Sequence, residues 1–526
     1  MSMNYEPLTP IGFLERSALV FGDRLAVVSD GRHFTYEQHW QRSQRQAGLL
    51  RAMGVEPGDR VAVLSPNTYV LLESHVGVPL AGAVLVALNT RLKPTEIAAI
   101  LDHAGARVLL VDHELAEVAL AAADAAHTDV ELLVATADGR EREGYEQQLA
   151  AADPYRAPVE DERSLLSINY TSGTTGTPKG VMYHHRGAFL QALAMAYHAR
   201  LDSDSRYLWT LPMFHTNGWC FPWAVTAAGA VHRCLRRVDP QEIWRAIDRE
   251  GVTHLSAAPV VLASIEAHPG RPAAAPHPVR AFTGGAPPSP ALLERMAGIG
   301  VDVTHLYGLT ETFGPAAICE WRSEWDGESA ERRAALKARQ GVHNIISQRL
   351  RVVDRAGDDV PADGETQGEL ALRGNNVMLG YFRDEEATRQ AAPDGWFRTG
   401  DLGVMHPDGY VELRDRLKDI IISGGENIAS VEVENVVAAH PDVAEVAVVG
   451  APHDRWGEVP VAFVTLRAGG NATEAEIIRY VRERLAHFKA PKWVAFGPLP
   501  RTSTGKIQKH HLRETARSQC RSDNEE

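Results

Sequence analysis

Along the chain, apolar residues fall into two spacings that trade places every ten to twenty positions. Between Pro66 and Val134, apolar helical stretches alternate with short runs rich in β-branched residues, such as Val108 to Val111 and Asp129 to Val134. This rhythm predicts βα units and an α/β domain. It continues through Tyr207 to Leu211, the helix-like Gln241 to Arg249, His254 to Ala257, Val279 to Phe282 and Val301 to Leu306. Ser289 before Pro290 reads as a helix N-cap with proline at the first helical position. The longest apolar run, Val76 to Leu88, is shorter than the roughly 20 residues a bilayer demands, so a buried helix running into a core strand is expected.

From Gly368 the texture changes to short strands, many glycines and the turn pairs Asp394-Gly395 and Asp408-Gly409, which predicts an antiparallel β region. Arg414 to Lys418 is a short polar joint. Beyond it a compact α+β unit is expected: a helix over Val431 to His440, strands Val443 to Gly450 and Val459 to Leu466, and a helix over Thr473 to Leu485. Thr473 and Glu476 form a capping box at the start of that last helix. The predicted organisation is a large N-terminal α/β domain with a small β region over 1–414, a hinge at 415–419, and a small mobile α+β domain over 420–526. The charged run from Glu320 to Gln340 is expected to be a solvated surface helix.

Composition narrows the function. A chain of 526 residues exceeds one hydrophobic core. Hydrophobic residues at 44% and charged residues at 23% are ordinary for a soluble globular protein. The net charge of −14 argues against a nucleic-acid partner, whose phosphates would be repelled. Small anions remain admissible, because backbone N–H groups bind phosphate inside an acidic protein. Cys220, Cys234, Cys319 and Cys520 show no C-x-x-C pairing and read as reduced thiols. With no basic segment before an apolar stretch at the start, a cytoplasmic protein without an integral membrane segment is expected. A homodimer is compatible with the chain, whose assembly state is otherwise open.

The stretch Tyr170 to Gly180 reads Tyr-Thr-Ser-Gly-Thr-Thr-Gly-Thr-Pro-Lys-Gly, directly after the strand-like Leu165 to Ile168. Gly173, Gly176 and Gly180 let backbone N–H groups approach phosphate oxygens. Hydroxyls of Thr171, Ser172, Thr174 and Thr175 add donors, and Lys179 adds charge. It is not a Walker A loop, because Gly180 stands where that motif has Ser or Thr. Composition alone also fits a flexible surface loop.

This stretch resembles the signature loop of the adenylate-forming superfamily, which contains acyl-CoA synthetases, firefly luciferase and peptide-synthetase adenylation domains. Further signatures follow in that family's order: Thr283 to Pro287, Tyr307 to Glu311, Trp396 to Asp401, Asp415 to Asp419, and Pro500 to Lys506.

The resemblance implies ATP, Mg2+ and coenzyme A as reaction partners of a small carboxylic acid. It implies that Glu311 and Thr171 contact the metal, and that Tyr307 stacks on adenine with Gly285, Ala286 and Pro287 lining the base. His305, Leu306, Gly308 and Thr310 flank the same nucleotide. Asp401 would accept from two ribose hydroxyls with Arg416 as its partner, and Lys506 would stabilise charge on the reacting oxygens. Lys418 occupies the hinge position, and Gly424 and Gly425 resemble the glycines beside the pantetheine tunnel. His215, in Pro-Met-Phe-His-Thr-Asn-Gly-Trp, would sit at the acid's carboxylate, and Trp219 resembles a gate of long-chain fatty acyl-CoA synthetases.

Without the resemblance each residue has an ordinary reading. Glu311 is then a solvated side chain, Tyr307 a core aromatic, Asp401 a turn residue, Lys506 a tail lysine, His215 a satisfied core histidine and Trp219 a core indole. The resemblance implies adenylation of an acid, medium- or long-chain fatty acids first, followed by transfer to coenzyme A. A short-chain or aryl acid, a carrier-protein or amine acceptor, and a catalytically dead nucleotide sensor are the alternatives.

Overall fold

The computed structural model describes residues 5–135, 144–171, 178–417, 419–424, 426–453, 455–501 and 507–523. Runs of β-branched residues settle into two large sheets. One has nine strands, with Val301–Tyr307, Val279–Thr283, His254–Ala257, Arg206–Trp209 and Val231–Cys234 parallel and adjacent in that order. The other has seven, in the order Gly380–Tyr381, Lys179–His184, Leu165–Thr171, Val84–Ala87, Arg60–Leu64, Ala106–Asp112 and Glu131–Ala135. Arg60–Leu64 reads Arg-Val-Ala-Val-Leu and buries every residue after its arginine, as a strand covered on both faces must.

Between these sheets lies the helix Tyr69–Leu80, all of whose side chains are buried. A helix with no solvent face packs on both sheets, and its buried Glu73 is paired with Arg42 at 2.8 Å. A turn at Gly82, with φ +78°, leads into Val84–Ala87, so the Val76 to Leu88 run is the predicted helix and core strand. Local chemistry sets the helix ends. The Ser289 hydroxyl accepts from the Leu292 N–H ahead of Pro290, and Thr473 with Glu476 forms the expected capping box. No described helix is long and apolar enough to cross a membrane.

The antiparallel region is a four-stranded sheet, Arg351–Val353, Gln367–Leu372, Phe397–Met405 and Val411–Arg416, and it begins before Gly368. Asp408-Gly409 lies in the connection between its last two strands, whereas Asp394-Gly395 leads from a helix into a strand. The charged run departs from expectation. Only Ala330–Ala338 is α-helical, and Arg339 and Gln340 are buried. The Arg339 guanidinium lies 4.5 Å from the Tyr410 ring centroid and pairs with Asp408 at 3.0 Å, so an arginine and an amide close a packed seam between two sheets. Sheet membership changes between Arg416 and Ile421. The following strands, Ile421–Ser423, Glu426–Ile428, Val443–His453, Gly457–Leu466 and Val494–Phe496, form a separate five-stranded sheet with its own apolar clusters. The chain is thus a large N-terminal α/β domain with mixed sheets followed by a small C-terminal α+β domain. Cys220, Cys234 and Cys319 are buried free thiols.

Candidate functional site

Leu165–Thr171 and Lys179–His184 are antiparallel neighbours, and Thr171 pairs with Lys179 at the open end of their ladder. The phosphate-loop candidates between them, Ser172, Gly173, Thr174, Thr175 and Gly176, lie outside the described residues. The Lys179 ammonium stands 4.8 Å from the centroid of the Tyr381 ring. Tyr381 comes from Gly380–Tyr381, the strand that extends this sheet beside Lys179–His184. Its hydroxyl donates to Glu311 Oε1 at 2.8 Å. Glu311 and Thr310 sit in a single 3-10 turn after the strand Val301–Tyr307. The Met378 N–H donates to the Glu311 carbonyl at 2.9 Å, and the Tyr183 hydroxyl donates to the Thr310 carbonyl. The segment carrying the candidate metal carboxylate is therefore sewn to the sheet that carries Lys179.

Carboxyl ends of the parallel strands meet at the same place, where open α/β sheets bind ligands. Gly284 to Pro287 follow Val279–Thr283, and Gly285 is exposed with φ +81° and open space where a Cβ would stand. Gly308 has no such room, since a Cβ there would lie 2.0 Å from the Gly314 carbonyl oxygen. Tyr307 is buried in a core cluster with Ala316, Leu350 and Phe397, yet its hydroxyl donates to Asp401 Oδ2 at 2.7 Å. Burial and the adjacent carboxylate push that phenol well above its ordinary pKa, so it stays a donor. Asp401 and Arg416 are cross-strand partners, and Arg416 Nε lies 2.9 Å from Asp401 Oδ1. Leu306 is buried on the same strand as Tyr307. The His305 imidazole faces away and its Nδ1 is shared between the Ala338 and Arg339 carbonyls, with burial lowering its pKa to about 4. The ring is committed to those two carbonyls.

His215 lines a cleft with Ala87, Asn89, Asn169, Phe214 and Thr310. The five residues after it are all left-handed: Thr216, Asn217, Gly218, Trp219 and Cys220 have φ of 45°, 38°, 51°, 55° and 63°. Asn217 is the clamp. Its Oδ1 accepts from Ser167 Oγ at 2.8 Å and from the Asn169 amide, and its N–H donates to Asn169 Oδ1 at 3.1 Å. The turn presents the buried Trp219 indole to the nucleotide segment, so that a Cβ on Gly284 would lie 3.2 Å from the ring. On its other side Trp219 abuts Gly314. Sequence reasoning passed over Tyr381, Tyr183, Asn169 and Asn217, whose partners lie dozens of positions away in the chain.

At the domain junction the buried Asp415 carboxylate accepts from the Ser430 N–H and hydroxyl, while Lys509 reaches Ser430 Oγ at 2.6 Å and Glu434 at 2.7 Å. Desolvation raises the pKa values of Asp415 and Glu434, and Lys509 opposes that shift. Gly424 has φ +60°, with the Trp456 ring 2.9 Å from where its Cβ would be. Lys418, Gly425 and Lys506 lie outside the described residues. Among the described residues no group of three His, Cys, Asp or Glu side chains could hold a metal ion. A hard divalent cation that keeps its waters and binds phosphate needs only one or two protein oxygens, so the carboxylate and hydroxyl chemistry of Glu311 and Thr171 remains admissible for Mg2+.

Comparison with known proteins agrees with this geometry. The model of the AMP-binding enzyme family matches residues 14–382, and that of the AMP-binding enzyme C-terminal domain matches residues 432–506. An acetate–CoA ligase of Humulus lupulus is 45% identical over 98% of this chain and 95% of its own length. A peroxisomal acetate/butyrate–CoA ligase of Arabidopsis thaliana is 43% identical with the same coverage. Among solved structures, an anthranilate CoA ligase in complex with anthranoyl-AMP superposes with a TM-score of 0.86 at 26% identity, over 99% of this chain and 100% of that one.

Proposed function

The chain belongs to the family of AMP-binding enzymes, and from that membership we propose that it activates a short-chain carboxylic acid as its acyl-adenylate and passes the acyl group to coenzyme A. It is an AMP-forming acid–thiol ligase with ATP and coenzyme A as co-substrates. In the first step a carboxylate oxygen attacks the α-phosphorus and the bond to pyrophosphate breaks. In the second the thiol sulfur attacks the acyl carbon and AMP leaves.

In this reading Lys179 and the loop before it neutralise the triphosphate, where positioning and charge complementarity carry most of the catalysis. Glu311 and Thr171 would hold Mg2+, which when bound would supply charge neutralisation on the phosphoryl oxygens. Asp401 takes the ribose hydroxyls on the lone pairs left beside Tyr307 and Arg416, since each carboxylate oxygen has two. Adenine lies against Gly285, Ala286, Pro287 and the edge of Tyr307. His215 meets the acid's carboxylate. Lys506 serves adenylation, and rotation about 415–419 then brings Gly424 and Gly425 to the pantetheine arm.

The choice of acid rests on one observation: the buried Trp219 indole packs on Gly284, so that a Cβ there would lie 3.2 Å from the ring, and in this reading the indole limits the depth beyond the reacting carboxylate. The relatives that act on acetate and butyrate point the same way. This replaces the medium- or long-chain acid expected from the sequence. An aryl acid is the second reading, favoured by the likeness to the anthranilate ligase. Coenzyme A-dependent AMP release should be measured for straight-chain acids from acetate to octanoate and for benzoate. We expect kcat/KM to peak between acetate and butyrate and to fall roughly tenfold or more by octanoate, the scale set by methylenes a pocket cannot admit. A maximum at octanoate would overturn the short-chain reading, and a maximum at benzoate would install the aryl one.

A further inference from the structure

Lys179 and Glu311 carry opposite charges beside one triphosphate site, and a direct ion pair between them would cancel both before the nucleotide arrived. In the structure they do not pair with each other. One side chain stands between them: Tyr381 gives its π face to the Lys179 ammonium at 4.8 Å and its hydroxyl to Glu311 Oε1 at 2.8 Å. The ring's negative face attracts a cation and the phenolic O–H donates to an anion, so a single tyrosine can hold both charges apart.

Placement of Tyr381 is over-determined. Gly380 and Tyr381 pair antiparallel with Met182 and Val181, on the strand that begins at Lys179. The Tyr381 N–H donates to the Thr388 hydroxyl at 2.9 Å. The neighbouring Met378 N–H holds the Glu311 carbonyl, which fixes the backbone distance between the tyrosine and the carboxylate segment.

We propose that Tyr381 is a positioning residue of the nucleotide site: its hydroxyl presets the Glu311 carboxylate for the metal that accompanies ATP, and its ring presets Lys179 for the phosphates. The inference rests on the reading of Glu311 as the metal carboxylate. It assigns Tyr381 two separable duties. Tyr381→Phe removes the hydroxyl and keeps the ring, whereas Tyr381→Leu removes both.

Binding of Mn2+ to the enzyme with a non-hydrolysable ATP analogue should be followed by electron paramagnetic resonance, alongside calorimetric binding of the analogue in EDTA. Tyr381→Phe should weaken Mn2+ binding roughly tenfold, the scale of a charged hydrogen bond, and leave metal-free nucleotide affinity unchanged. Tyr381→Leu should weaken Mn2+ binding as much and also lower metal-free nucleotide affinity by about threefold, the scale of a partly exposed cation–π contact. The Mg2+ concentration giving half-maximal pyrophosphate release should rise in step with the Mn2+ loss. Wild-type Mn2+ affinity in Tyr381→Phe, or equal losses of metal-free affinity in both variants, would overturn the proposal. Glu311→Gln separates the failures. If it too binds Mn2+ like wild type, the metal reading of Glu311 falls; if it loses Mn2+ while Tyr381→Phe does not, only the role of the tyrosine falls.

Discussion

A side chain in this site does more than one job. Asp401 illustrates it: the carboxylate is buried, paired to Arg416 on one oxygen and bonded by the Tyr307 hydroxyl on the other. In Asp401→Ala the Tyr307 hydroxyl is left buried without its acceptor, a cost of about 1–3 kcal/mol. On the proposed reading of Asp401, the ribose hydroxyls lose their acceptor at the same time. We therefore expect Asp401→Ala to lower stability to urea and raise the KM for ATP together. Asp401→Asn keeps the shape and one acceptor, so it should spare most of the stability while still raising KM. Steady-state kinetics and urea titration of both variants would check this, and an unchanged KM in each would remove Asp401 from the ribose site. The ambiguity over Tyr307, adenine partner or core aromatic, also lives at this scale. The ring is in the core and the hydroxyl is in the site.

Among elements, the left-handed turn Thr216 to Cys220 stands out physically. Each non-glycine residue in that conformation costs about 1–2 kcal/mol, and four of the five are not glycine. Such a turn persists only if its surroundings hold it, and the bonds of Asn217 to Ser167 and Asn169 tie it to the strand that leads into the candidate phosphate loop. What the strain maintains is the position of Trp219 against Gly284. Asn217→Gly removes the clamp while easing the backbone, and Asn217→Ala removes it and worsens the strain. Both should shift acid preference toward longer chains, and the alanine variant should also be less stable by about 1 kcal/mol, the difference in backbone cost. Ratios of kcat/KM for hexanoate over acetate, with thermal unfolding, provide the check. An unaltered ratio in both variants would mean that the turn does not set pocket depth.

For the molecule as a whole, buried imidazoles govern the response to acid. Desolvation lowers the pKa of His39 to about 3 and those of His75, His185, His254 and His305 to about 4, and holds His232 well below the ordinary value. Between about pH 6.5 and 4 the unfolded chain binds protons at these positions and the folded chain does not, so stability falls as pH drops through that window. We expect the unfolding midpoint to be nearly level from pH 8 to 7 and to decline steeply from about 6.5 to 4.5. A level midpoint down to pH 4.5 would contradict the buried neutral state of these rings. His39 and His75 each lower the His232 pKa further, so charging either makes His232 harder to charge.

Much of this protein was legible from short range. His254–Ala257 matches the predicted strand, and the caps at Ser289 and Thr473 form as their side chains dictate. Strand periodicity, capping and turn chemistry are properties of neighbouring residues, and the ordered signature stretches carried the family likeness in the same local way. Three features could not be read so. Arg339 ends a charged run yet is buried, because Asp408 and Tyr410 lie 69 and 71 positions on, and an ion pair with a ring face repays desolvation only once a second sheet brings them there. Tyr381 comes to stand between Lys179 and Glu311 only through the pairing of the seven-stranded sheet. The contact of Trp219 with Gly284 and Gly314 joins three separate segments of the chain. Local chemistry decided the elements and the kind of reaction; the packing and electrostatics of the candidate site were decided by contacts between distant residues, whose energies exist only after the chain has closed around them.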